Sequence, residues 1–108
     1  MEIIIFIVDN VTDFSKAKFS QVKDIVVRTD RDKEVSWITD MCLVSDDRIV
    51  AVDNVNYSVK LLEVTTGHML HQLQLQNVPF GVCRTSGDRV AVTLPYAETI
   101  QVLVWYAM

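Results

Sequence analysis

Apolar residues along this chain come in short runs, each closed by a cluster of turn-forming residues. Residues 1–8 are dominated by Ile and Val and end at Asp9-Asn10. β-Branched residues in a row favour extended backbone, so this run predicts a short buried strand. Ile25, Val26 and Val27 predict a second over residues 22–29. Upstream of it, Phe14, Ala17, Val22 and Ile25 share a helical spacing behind Thr12 or Asp13, so a short helix over residues 13–19 competes with a loop. The charged run Asp30-Arg31-Asp32-Lys33-Glu34 reads as a solvated connector. Strands follow over residues 37–44, 48–53, 58–64 and 68–75, then 78–85, 89–94 and 99–106. Ser45-Asp46-Asp47, residues 54–57 and Thr65-Thr66-Gly67 are the intervening turns, with Gly67 suited to positive φ. Ile49-Val50-Ala51-Val52 is apolar on both strand faces, which predicts burial on both sides. In the next strand Val59 and Leu61 alternate with Lys60.

These runs repeat. Residues 79–105 lie over residues 38–64 without a gap, at a step of 41. Cys42 falls on Cys83, Ser45 on Ser86, Asp47-Arg48 on Asp88-Arg89 and Leu62 on Leu103. Ile49 is replaced by Val90, Ser58 by Thr99, Val59 by Ile100 and Leu61 by Val102. A repeat of about 40 residues built of short apolar strands and turns reads as a propeller blade of about four strands. The expected fold is therefore all-β, with antiparallel four-stranded propeller blades in an incomplete propeller. Its parts are an N-terminal strand and connector over residues 1–34, a first blade over 35–76, and a second, incomplete blade over 77–108.

Composition is globular: half of the residues are hydrophobic and 22% are charged. A net charge of −4 gives no overall attraction to nucleic acid or anionic lipid. The first apolar run lacks a basic leader and a small-residue cleavage site, and it is much shorter than a membrane helix. A cytoplasmic chain that uses no membrane is expected. Cys42 and Cys83 occupy equivalent positions inside apolar runs, which suggests buried free thiols over a disulfide.

Little in the chain reads as catalytic or metal-binding. His68 and His71 point to opposite faces of a strand. Asp46, Asp47 and Asp53 suit turns, where their side chains accept bonds from nearby backbone N–H groups, and no calcium-loop spacing follows them. Ser45 and Ser86 lack the glycines of a nucleophile elbow. No enzyme, cofactor or metal is expected. Trp37, Tyr57, Tyr96 and Trp105 are either packing residues or a binding face, and Tyr57 and Tyr96 in blade loops are the candidates for contact with a partner.

At residues 46–64 the pattern resembles an NHL-type repeat: a turn, an apolar strand ending in Asp53, a loop bearing Asn56, then Val59, Leu61 and Leu62. The wider stretch, residues 20–105, is similar to the C-terminal propellers of tripartite-motif-like proteins. The second copy departs from the pattern, with Leu94 for Asp53 and Ala97 for Asn56. The resemblance implies a six-bladed propeller used as a non-catalytic protein-interaction module, the substrate-recognition region of a ubiquitin ligase. It makes Asp53 and Asn56 structural loop residues beside Gly67. No CxxC zinc pair occurs, so the ligase parts of such proteins have no counterpart here. Six blades need about 250 residues. The chain is thus expected to be a piece of a longer protein, the product of a shortened gene, or a chain that closes a propeller by self-association. Two other functions stay open: part of a metal-dependent lactonase-type propeller hydrolase, with Asp53 as the candidate ligand, and an RNA-binding propeller.

Overall fold

The computed structural model describes residues 2–9 and 18–107, with side chains from Val26 to Tyr106. Strands β1 (Glu2–Asp9) and β2 (Lys18–Val26) pair antiparallel, with an irregularity between Ile5 and Phe6. The possible helix over residues 13–19 lies mostly outside the described residues, and Lys18 and Phe19 belong to β2. The strand expected over residues 22–29 starts earlier and stops at Val26. Val27 leaves the sheet because its side chain is buried in a core and its carbonyl is taken by a side chain, as described below.

Two further antiparallel sheets follow. The first holds β3 (Ile38–Ser45), β4 (Arg48–Asp53), β5 (Ser58–Glu63) and β6 (Met69–Gln74) in chain order. The second holds β7 (Val82–Ser86), β8 (Arg89–Leu94) and β9 (Thr99–Val104). One-turn 3-10 helices over Pro95–Ala97 and Trp105–Ala107 flank β9. The described residues are thus mostly antiparallel β-structure, as the short apolar runs required.

The step of 41 survives in three dimensions. Cys42 sits opposite Val50, and Cys83 opposite Ala91. Ile49 sits opposite Leu62, and Val90 opposite Leu103. The hairpin carbonyl of Asp47 accepts from the Val64 N–H, and that of Asp88 from the Trp105 N–H. Even the strained positions match: Tyr57 has φ 52° and Glu98 has φ 53°. Backbone that L-residues rarely adopt has been kept where the side chain has changed completely.

Each sheet has a front and a back. On the first, Val50, Val52, Val59 and Leu61 face front, and Ile49, Ala51, Lys60 and Leu62 face back. The front of the first sheet packs on the back of the second, joining Val44, Val50, Val52, Val59, Leu61 and Leu75 with Val82, Val90, Val92 and Leu94 in one core. Three polar bonds set the docking angle at its rim: Asp40 accepts from the Val82 N–H, Thr39 donates to the Phe80 carbonyl and Asn54 to the Pro79 carbonyl. The back of the first sheet forms a smaller core of Val27, Ile38, Ile49, Ala51 and Leu62. β4 is therefore buried from Ile49 to Asp53, in keeping with its two apolar faces.

Candidate functional site

The back of the first sheet carries a buried polar centre. Lys60 projects from β5 between Ile49, Ala51 and Leu62, and its side chain is 0% exposed. A buried ammonium needs partners for every proton, since an unpaired charge in apolar surroundings is very costly. Its Nζ donates to the carboxylates of Asp32 at 2.7 Å and Asp53 at 2.8 Å, to the Val27 carbonyl at 2.7 Å and to the Ser36 hydroxyl at 3.1 Å. One cation thus faces two carboxylates, so the centre holds one net negative charge. Hydrogen bonds disperse it. Asp32 accepts from the Thr29 N–H, the Ser36 hydroxyl and the Gln72 amide. Asp53 accepts from the backbone N–H groups of Trp37 and Asn56 and from the Asn56 amide. Desolvation pushes both carboxyls up, but the bonds from Lys60 and these neighbours outweigh it and hold Asp32 and Asp53 below the ordinary aspartate range.

The connector expected to lie in water is therefore folded onto the sheet. Asp32 and Ser36 are buried, and only Asp30, Arg31, Lys33, Glu34 and Val35 face out. Asn56 completes the clasp. Its Oδ1 accepts from the N–H groups of Lys33 and Glu34, and its amide donates to the Glu34 carbonyl. Charge alone hid this arrangement. Asp32, Ser36, Lys60 and Gln72 were not singled out from the sequence, because a lysine between Val59 and Leu61 is the ordinary alternation of a half-exposed strand. The signal that could have found it was Asp53-x6-Lys60 on two paired strands with apolar residues on every side.

Beside Asn56 lies an open cleft of about 390 Å³. Tyr57, Val55 and Gln74 form its sheet side, and Arg31, Lys33 and Glu34 its connector side. Tyr57 stands there in the left-handed region and is half-exposed. Two cations against one carboxylate make the cleft mouth basic on a chain of net charge −4.

The remaining singled-out residues lie elsewhere. Gly67 has φ 75° in the turn before β6. Tyr96 is highly exposed on the 3-10 turn after β8 and does not line the Tyr57 cleft. Trp37 is exposed, and Trp105 is half-buried against the core with its indole N–H on the Gly87 carbonyl. Ser45 and Ser86 end β3 and β7, and His68 and His71 are exposed at β6. Asp47 binds the hydroxyl and N–H of Thr65, which hold its carboxyl below the usual value, and it also meets Arg48. Both cysteines are free, but they are not both buried: Cys42 is half-buried and Cys83 exposed, because only the first sheet's front is covered. Among the described residues, no three His, Cys, Asp or Glu side chains converge as metal donors. Asp53, the candidate ligand of a hydrolase, faces the Lys60 ammonium instead. Among the described residues no helix is long and apolar enough to cross a membrane. No protein-family model matches the chain, and neither does any curated protein.

Proposed function

We propose that this chain is a non-catalytic protein-interaction module built from consecutive NHL-like propeller blades, and that it takes a peptide in the cleft at Tyr57. The blade reading is supported by the conserved register at a step of 41 and by the front-on-back stacking of the two sheets, the way successive blades sit around a propeller. The observation that carries the binding reading is the cleft itself. A half-exposed aromatic wall stands beside Arg31 and Lys33 on a segment that Lys60 and Asn56 hold rigid. Exposed Tyr and Arg on a rigid frame are the usual anchors of protein recognition. The cleft's charge favours a peptide that presents an apolar or aromatic side chain next to a carboxylate.

A library of random linear peptides selected on the immobilised full chain tests this. Enriched peptides should carry Asp or Glu beside an apolar residue. Their affinity should fall at least about tenfold in Tyr57→Asn, a change that keeps a residue tolerant of positive φ. Selection that yields no enriched family, or one indifferent to both Tyr57→Asn and Lys33→Glu, would overturn the reading.

A further inference from the structure

Strand β6 forms an edge of the first sheet, and its outward backbone is guarded along most of its length. The Leu75 N–H bonds to the Tyr57 carbonyl, and Leu73 opposite Val59 and His71 opposite Leu61 continue that register. In an antiparallel ladder bonded pairs alternate with unbonded ones, so Gln72 and Gln74 turn their N–H and C=O groups away from β5. Leu70 is skipped in the register as a bulge. At Gln72 the carbonyl accepts from Nη1 of Arg31 at 3.0 Å, and the N–H donates to Nδ1 of His71 at 2.9 Å. Bulges and charges of this kind keep other strands off a sheet edge. At Gln74 the guard stops. Among the described residues nothing bonds its backbone N–H or C=O. Its side-chain amide is tied to the carbonyls of Asn56 and Tyr57 at 3.0 and 3.2 Å and does not cap its own backbone. Gln74 is exposed and lines the cleft at Tyr57. The chain runs on from β6 into β7, so this gap lies inside the sequence.

We infer that the cleft takes its peptide as an added antiparallel strand on β6, with one peptide residue exchanging both backbone hydrogen bonds with Gln74. The inference rests on the cleft being a peptide site and adds how the peptide lies in it. Opposed residues on paired strands share a face, so the residue opposite Gln74 lays its side chain on the Gln74 side, next to Tyr57. The following residue points to the other face, and the one after it returns. That third residue falls opposite Gln72, where Arg31 spends one N–H on the carbonyl and keeps further donors for a carboxylate. Lys33 adds a second cation on the same side of the cleft. The composition expected of selected peptides thereby gains a spacing and a direction: apolar residue, any residue, acid, read from the N-terminus.

Two dye-labelled peptides titrated on the full chain by fluorescence anisotropy test this. One is acetyl-Thr-Tyr-Thr-Glu-Thr-amide, with Tyr and Glu two apart. The other is acetyl-Thr-Thr-Tyr-Glu-Thr-amide, with them adjacent. The spaced peptide should bind at least about tenfold tighter. N-methylation of its Tyr amide should remove that advantage, and N-methylation of its central Thr should not. Gln74→Pro deletes the outward N–H at an edge position that tolerates proline, and should weaken the spaced peptide at least about tenfold. Gln74→Ala loses the same side chain and should cost less than about threefold. The N-methyl pair decides the matter if Gln74→Pro folds poorly. Peptides that bind alike, weaken together in Tyr57→Asn and ignore both N-methyl-Tyr and Gln74→Pro would overturn strand pairing and leave the cleft reading standing. A spaced preference that needs the Gln74 N–H but ignores Tyr57→Asn would support the pairing and overturn the Tyr57 contact. Binding of neither peptide up to about 1 mM would overturn the pairing, with the library selection still deciding the cleft.

Discussion

Lys60 is the residue on which the first sheet depends most. Its four bonds reach β4, the connector and the Val27 carbonyl just past the end of β2. Replacing a buried ion cluster with apolar groups is often harmless, but removing one member strands the others. Lys60→Met leaves Asp32 and Asp53 buried without their cation. We expect a loss of about 3–5 kcal/mol in a urea titration, part of it regained by adding Asp32→Asn. Gly67 makes a different demand, on backbone alone. At φ 75° a β-branched residue is strained, and Gly67→Val should lower the urea midpoint by the equivalent of about 1–2 kcal/mol. An unchanged midpoint would mean that the turn relaxes without cost. Gly67 was legible in the sequence because turn chemistry is local. Lys60 was not, because three of its four partners arrive from 24 to 33 residues away.

The connector shows the limit of local reading most clearly. Its composition is that of a solvated loop, and half of it behaves as one. The other half is held by Asp32, Ser36 and the bonds to Asn56, none of which a charge count distinguishes from surface polarity. Asn56→Ala removes acceptors from two backbone N–H groups and a donor from one carbonyl. The expected cost is about 1–3 kcal/mol, concentrated in this segment. Trypsin cleavage after Arg31 and Lys33 in native buffer should then run roughly ten to a hundred times faster, with far-UV circular dichroism little changed. The strands fared better. β4, β5 and β8 were legible to within a residue, because period-two patterning and turn residues agree there. β2 was displaced because the Ile25-Val26-Val27 run spans the point where the chain leaves the sheet to cover the core.

For the molecule as a whole, the buried centre ties stability to pH. Asp32 and Asp53 have folded-state values below the roughly 3.9 of an unfolded aspartate. The unfolded chain therefore binds protons first as pH falls. The stability these carboxylates contribute is present in full above about pH 5 and is lost progressively from about pH 4 downward, through their lowered folded values. Urea midpoints measured from pH 7 to 3 should be flat at first and then fall. In Asp32→Asn the acid-side slope should be shallower. The all-β class was legible at this level because short apolar runs closed by turn residues recur along the chain, with residues 38–64 echoed at 79–105. The asymmetry of its two sheets was not, since Leu94 for Asp53 and Gln101 for Lys60 reveal only that the copies differ, and not that the back of the first sheet holds a buried ion cluster while the back of the second packs on the first through apolar contact.

Cys42 and Cys83 turn that asymmetry into a clock with its own internal reference. They hold the same register position in the two sheets and differ in cover. Burial pushes the Cys42 thiol up, with the Asp40 charge adding to it, whereas Cys83 is open to reagent. Because the thiolate is the reacting species, an alkylating dye at neutral pH should mark Cys83 at least about tenfold faster than Cys42. Peptide mapping after a timed quench would give both rates from one sample. Any condition that parts the two sheets would draw the rates together before the strands themselves are lost.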